Sequence, residues 1–169
     1  MIFVKFIILA AVFGTSSLIG IKLASGYKVR ANNLKQMKKA LKILEAKITY
    51  TYDKLPDLFL EISNKIGGDV GNLFFDVGRN MQLEFAGEAW EQCIEKSNLS
   101  ITHDDKEALK SLGKLLGSTN MQGQLEQLHL VNDFLDEQIK EAVESKKKNE
   151  TMYKKLGVIV GLAVVIVLI

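Results

Sequence analysis

Few residues in this chain have both the type and the spacing to do chemistry. His103, Asp104, Asp105 and Glu107 stand together, a donor set that could hold a divalent metal. The same residues fit a helix start equally well. Thr102 followed by Asp105 has capping-box spacing, and acids in a first turn face free N–H groups and the positive end of the helix dipole. His129, flanked by Leu128 and Leu130, reads as a surface or interhelix side chain. Cys93 is the single cysteine, so neither an intramolecular disulfide nor a cysteine-rich zinc site can form, and no neighbouring histidine draws off its proton. Gly67-Gly68-Asp69-Val70-Gly71 has the glycines of a phosphate loop but lacks both the Gly-Lys-Ser/Thr ending and a preceding strand. The residues therefore predict no catalytic, metal or nucleotide site, no cofactor, and a protein that is not an enzyme.

Two other residue patterns suggest binding rather than reaction. Glu84, Glu88, Glu91 and Glu95 fall at spacings of four, three and four, one helical face. Such a face is either solvated or binds a cation or a basic partner. Small residues four apart recur near both ends: Ala10 with Gly14, Ser16 with Gly20, and Gly157 with Gly161. Missing side chains let membrane helices approach closely, although glycine is also common in such helices for other reasons. Trp90 is expected in the core or at a domain interface.

The elements that position these residues begin with the apolar ends. Ile2 to Ala24 is interrupted only by Lys5 and Lys22, and its 23 residues make roughly 34 Å of helix, enough for a hydrocarbon core of about 30 Å. Leu156 to Ile169 carries no charge over 14 residues, and with Met152 and Tyr153 added and Lys154 and Lys155 snorkelling it reaches about 27 Å. We expect a transmembrane helix over 1–25 and a short one over 152–169; a cleaved leader and a half-inserted tail are the alternatives.

Charge sets the expected orientation. The net charge is only +2, but from Lys22 to Lys47 there are eight bases and one acid, and from Lys146 to Lys155 five lysines and one acid. Between them, Asp53 to Glu144 holds 18 acids and eight bases. Lys and Arg beside a span are retained in the cytoplasm. The flanks Lys28, Arg30, Lys35, Lys38 and Lys39 on one side, and Lys146, Lys147, Lys148, Lys154 and Lys155 on the other, thus place the middle of the chain in the cytoplasm. The basic run has no nucleic-acid recognition module, and anionic lipid is its simpler partner.

The middle, 26–151, reads as helices, with one Pro among 169 residues and no convincing strand. Leu34, Met37, Leu41, Leu44 and Ile48 form a narrow apolar stripe, and Thr49 to Tyr52 is the frayed end of that first helix. Pro56 suits the first turn of a second helix lined by Leu58, Ile62 and Ile66, which Gly67 and Gly68 stop. Asp69 is expected to cap a third, carrying Val70, Leu73, Phe74 and Val77. A fourth, about Leu83 to Ser97, holds Phe85, Ala86, Ala89, Trp90 and Ile94; a fifth buries Leu109, Leu112, Leu115 and Leu116 and stops at Gly117. The last starts near Met121, shows Leu125, Leu128, Val131, Leu135, Ile139 and Ala142, and has no breaker until Gly157. The expected fold is all-α: a cytoplasmic six-helix bundle between two transmembrane helices.

Several segments in order carry a family resemblance: LKILEAKITY from Leu41 to Tyr50, KLPDLFLEI from Lys54 to Ile62, Glu88-Ala89-Trp90, LGKLLG from Leu112 to Gly117 with Gln122-Gly123-Gln124, and MYKKLGVIVG from Met152 to Gly161. Together they resemble the stage III sporulation protein AB family of endospore-forming bacteria over nearly the whole chain. The family usually has Thr-Pro-Leu-Pro before its second helix; this chain, with Asp53-Lys54-Leu55-Pro56, keeps only the second proline. The resemblance implies a bundle similar to the cytoplasmic domains of the type II secretion platform protein F. It also implies no catalytic residues, and a place in the mother-cell (outer forespore) membrane within a complex between mother cell and forespore. A secretion-type ATPase and other membrane proteins of that complex are the implied neighbours.

Residues and resemblance together favour a non-enzymatic membrane platform or scaffold of a sporulation-specific, secretion-like complex. The partners expected are membrane lipid, the ATPase, the other membrane components and a homo-oligomer, with no nucleic acid. The alternative is a small oligomeric pore or holin-like protein whose spans do the work.

Overall fold

The computed structural model describes residues 2–51, 53–117 and 121–168, and within its long helices leaves out the side chains of 2–13, 16–24, 150, 153, 154, 157, 158 and 160–168. Among the described residues the chain is all-α, with no strand. In order the helices are α1 (Ile2–Tyr50), α2 (Leu55–Ile66), α3 (Gly68–Asn80), α4 (Ala86–Lys96), α5 (His103–Gly113) and α6 (Met121–Leu168). The chain divides into two compact units, one of Met1–Ala31 with Glu141–Ile169 and one of Asn32–Lys140.

The first unit consists of the outer parts of α1 and α6. Both are unbroken helix there, as the lack of an internal Pro allows. The apolar cores of the two expected spans lie outside the residues whose side chains are described. Among the described residues no helix is long and apolar enough to cross a membrane.

The second unit is the bundle proper. The α1 stripe Leu34, Met37, Leu41, Leu44 and Ile48 is buried as its spacing requires. So are Leu128, Val131 and Leu135 of α6. Phe59 of α2, Phe74 of α3 and Trp90 of α4 form the aromatic centre, all fully buried. The two Phe rings stack at 5.1 Å, and Trp90 meets them edge-on at 5.8 and 5.6 Å. These offset and T-shaped arrangements match the ring quadrupoles. The buried indole N–H of Trp90 donates to the Leu109 carbonyl at 2.6 Å, which ties α4 to α5.

Glycine sets how closely the short helices approach. α2 stops because Gly67 takes a positive φ of 63°, its N–H returning to the Ser63 carbonyl at 3.0 Å. A Cβ on Gly71 would lie 2.9 Å from the Ser63 carbonyl oxygen, and one on Gly78 would lie 3.1 Å from that of Pro56. α3 thus rests directly on the backbone of α2. The same device joins α4 to α5: a Cβ on Gly87 would run into the Gly113 carbonyl oxygen, and one on Gly113 would lie 2.9 Å from that of Gly87.

Three local expectations change. Asp69 does not cap α3. Gly67 takes the cap position with no side-chain bond, and Asp69 falls in the first turn, where only the dipole favours it. α4 begins at Ala86 rather than Leu83, because Met81–Leu83 continue as a turn whose N–H groups bond back to α3 carbonyls. Phe85 is consequently 81% exposed instead of buried. α5 ends at Gly113, and a turn runs on to Gly117, whose φ of 72° makes the stop there. The capping box at Thr102 is present, with Asp105 N–H donating to the hydroxyl at 3.2 Å and Thr102 N–H donating to the Asp105 carboxylate at 2.8 Å.

Candidate functional site

The acidic residues singled out by spacing do not act as one stripe. Glu88, Glu91 and Glu95 lie on α4, whereas Glu84 lies in the turn before it. Glu84 accepts from the Gln92 amide at 3.0 Å. Glu95 pairs with Lys110 of α5, which also holds Glu107 at 2.8 Å. The Lys110 bonds pull both carboxyls below the usual range and raise the lysine. The C-terminal end of the stripe is thus neutralised by α5. Glu91 is half-buried beside Gly113, and Glu88 is exposed.

The basic flanks divide in the same way. Lys38 is claimed by Asp136 of α6, and Lys47 by Glu61 of α2 at 2.8 Å. Lys28, Lys35, Lys39, Lys147, Lys148 and Lys155 are exposed, Arg30 and Lys146 are half-buried, and the Lys154 side chain lies outside the described residues. The same holds for Ala10, Ser16, Gly20, Gly157 and Gly161. At Gly14 a Cβ would meet nothing within 4 Å among the described residues.

On α1 the unclaimed lysines border a shallow groove of about 650 Å³. Ile43, Ala46 and the ring of Tyr50, 82% exposed, form its apolar floor, and Lys35, Lys39 and Lys42 stand along it. None of those three lysines has a carboxylate within ion-pair distance among the described residues. A second concavity shares Lys42, Ala46 and Tyr50 and reaches Leu125 and His129 of α6. His129 is 3.7 Å from the Glu45 carboxylate, which also accepts from Asn132 at 3.2 Å. His129 is thus an exposed side chain of α6 that approaches α1, within the surface or interhelix role expected of it.

A polar cleft of about 520 Å³ between α3 and α4 includes Asp69, Asp76, Asn80 and Cys93. Burial pushes the Cys93 thiol up, Asp76 adds to this, and the Asn80 amide donates to Sγ at 3.3 Å. A thiol held protonated is a weak nucleophile. Among the described residues no three His, Cys, Asp or Glu side chains group as a metal site. Asp105, one of the four residues with metal-like spacing, is buried in its capping box.

Sequence reasoning missed one surface. Leu83 is 89% and Phe85 81% exposed, in the turn between α3 and α4. Phe75, on the outer side of α3, lies under the Arg79 guanidinium at 5.9 Å. The signal available was the run Leu83-Glu84-Phe85, which follows a turn and fits the apolar face of neither neighbouring helix.

A family model described as stage III sporulation protein AB matches residues 5–169. Stage III sporulation protein AB of Bacillus subtilis (strain 168) is 30% identical over 153 residues, covering 88% of this chain and 90% of that protein. A solved structure of a stage III sporulation protein AB superposes with a TM-score of 0.67 at 26% identity, covering 71% of this chain and 98% of that one.

Proposed function

The chain belongs to the stage III sporulation protein AB family, which gives it a role in sporulation, and from that membership we propose that it is a non-enzymatic, membrane-anchored platform. Segments 1–25 and 152–169 hold it in the mother-cell (outer forespore) membrane. The helical bundle stands in the cytoplasm and docks a secretion-type ATPase and other membrane proteins of one secretion-like complex.

The observation that carries this reading is the separation of charge. The exposed lysines Lys28, Lys147, Lys148 and Lys155 adjoin the apolar ends, where anionic headgroups and the cytoplasmic retention of positive charge favour them. The acidic α4 face, centred on Glu88 and Glu91, lies within the bundle sequence, away from those ends. Among the described residues neither carboxylate has an ion-pair partner, so the face offers its negative field to a basic partner surface.

Two measurements test the proposal. Protease applied to the lumenal side of sealed vesicles should leave the bundle intact, and digestion there would reverse the topology. A photo-reactive residue replacing Gln92, beside the acidic face, should capture the ATPase in sporulating cells. Glu88→Gln with Glu91→Gln should weaken that capture, most at low salt. Capture unchanged by the double substitution would remove the acidic face from the docking site.

A further inference from the structure

The molecule carries two exposed features that are complementary to each other. One is the α1 groove, apolar along Ile43, Ala46 and Tyr50 and bordered by Lys35, Lys39 and Lys42. The other is the turn Leu83-Glu84-Phe85, with two large apolar side chains almost fully in solvent and a carboxylate between them. The Glu84 carboxylate accepts only from the neutral Gln92 amide and has no ion-pair partner among the described residues. Each feature lacks what the other has: the groove lacks an anion and an apolar filler, and the turn lacks a cation and a cover.

Within one chain the two do not meet. Leu83 and Phe85 are exposed, and the groove is lined by α1 and the residue that follows it. We propose that the Leu83–Phe85 turn of one copy docks in the Lys35–Tyr50 groove of a second copy. The two patches differ, so the contact is heterologous, head to tail, and every docked pair leaves one groove and one turn free to continue. Phe and Leu supply the buried apolar area, and Glu84 against the lysines sets register and suppresses other pairings. One Phe removes about 150–250 Å² from water, well below the 1,200–2,000 Å² or so of a stable interface. The contact is therefore weak for an isolated pair and depends on local concentration. Both patches lie in Asn32–Lys140, so the inference does not depend on the ATPase docking proposed above.

The test uses the full chain in lipid nanodiscs that hold several copies, with two differently tagged versions mixed. One carries Leu83→Cys and the other Ala46→Cys; both positions are exposed, while native Cys93 is buried. Mild oxidation should give the mixed disulfide at about tenfold or more over either same-tag product. Lys39→Glu with Lys42→Glu on the groove copy should cut it by about tenfold, since like charges then face Glu84, and Glu84→Lys on the turn copy should restore it. Same-tag products in equal yield, or a mixed disulfide indifferent to charge reversal, would overturn the head-to-tail contact. So would a photo-reactive residue at Leu83 that reacts only with lipid or with a different protein in cells. Failure of the mixed disulfide to form in the pair without charge reversal, with ATPase capture retained, would overturn self-docking alone.

Discussion

The four short helices and the two long ones are held in place by different means. α2 to α5 span 11 to 13 residues each, too few to be stable alone. They are fixed by aromatic packing around Trp90 and by glycines that bring backbone onto backbone. In Asn32–Lys140 the long helices instead combine a narrow apolar stripe with polar links from α1 to α6, Lys38 to Asp136 and Glu45 to Asn132. The short helices have little tolerance in their spacing, whereas much of the long helices' surface is free to carry function. The groove and the exposed Lys28, Lys35 and Lys39 lie on α1, and the exposed Lys147, Lys148 and Lys155 lie on α6.

Substitutions should separate the two regimes by size and by sign. Trp90→Ala removes a fully buried indole and its bond to Leu109, and should cost about 3–5 kcal/mol in denaturant unfolding. A loss under 1 kcal/mol or so would mean the aromatic centre is not what holds the short helices. Gly87→Ala should cost about 1–3 kcal/mol, because the added methyl meets the Gly113 backbone and cannot be relieved by a rotamer change.

Thr102→Ala should cost about 1 kcal/mol by deleting the capping box that starts α5, read as a lower thermal midpoint. The same glycine change in the long helix should reverse sign. Gly26 lies inside α1 with nothing within 4 Å among the described residues, so Gly26→Ala should stabilise by about 0.5–1 kcal/mol. Destabilisation there would mean that α1 has a close neighbour at that level.

The smallest effect is the pH response of the link between α1 and α2. Bonds from Lys47 and Lys65 hold the Glu61 carboxyl at about 2, against 4.5 for the free group. A depressed carboxylate stabilises fully above its unfolded value and less as pH falls toward its folded one. The thermal midpoints of the native chain and Glu61→Gln should keep a constant gap down to about pH 4.5, then converge toward pH 2. A gap that persists at pH 2 would assign the effect to packing.

What periodicity encodes was legible in the sequence. The α1 stripe, Pro56 at the start of α2, the Gly67 stop, the Thr102 cap, the core role of Trp90 and the all-helical class all follow from residue type and spacing. Coverage was not legible. Phe85 has the same apolar character as Trp90, and only the turn at Met81–Leu83 decides that one is exposed and the other buried. Nor does the sequence pair Gly87 with Gly113, 26 residues away, since close approach is a property of two backbones. The acidic stripe was found by spacing, yet Lys110, from another helix, removes its last member. The lysine groove lay inside a run already read as basic, but only the packing of Lys38 and Lys47 against their carboxylates shows which cations remain free.

The single residue between α2 and α3 has a kinetic consequence. With only Gly67 joining them, closing this hairpin loses little chain entropy, and its contacts are short-range in sequence. Leu128, Val131 and Leu135, by contrast, reach the core from the far side of α4 and α5. During synthesis the α2–α3 pair can therefore form soon after it leaves the ribosome, before α6, whose Leu128, Val131 and Leu135 join the core, has been translated.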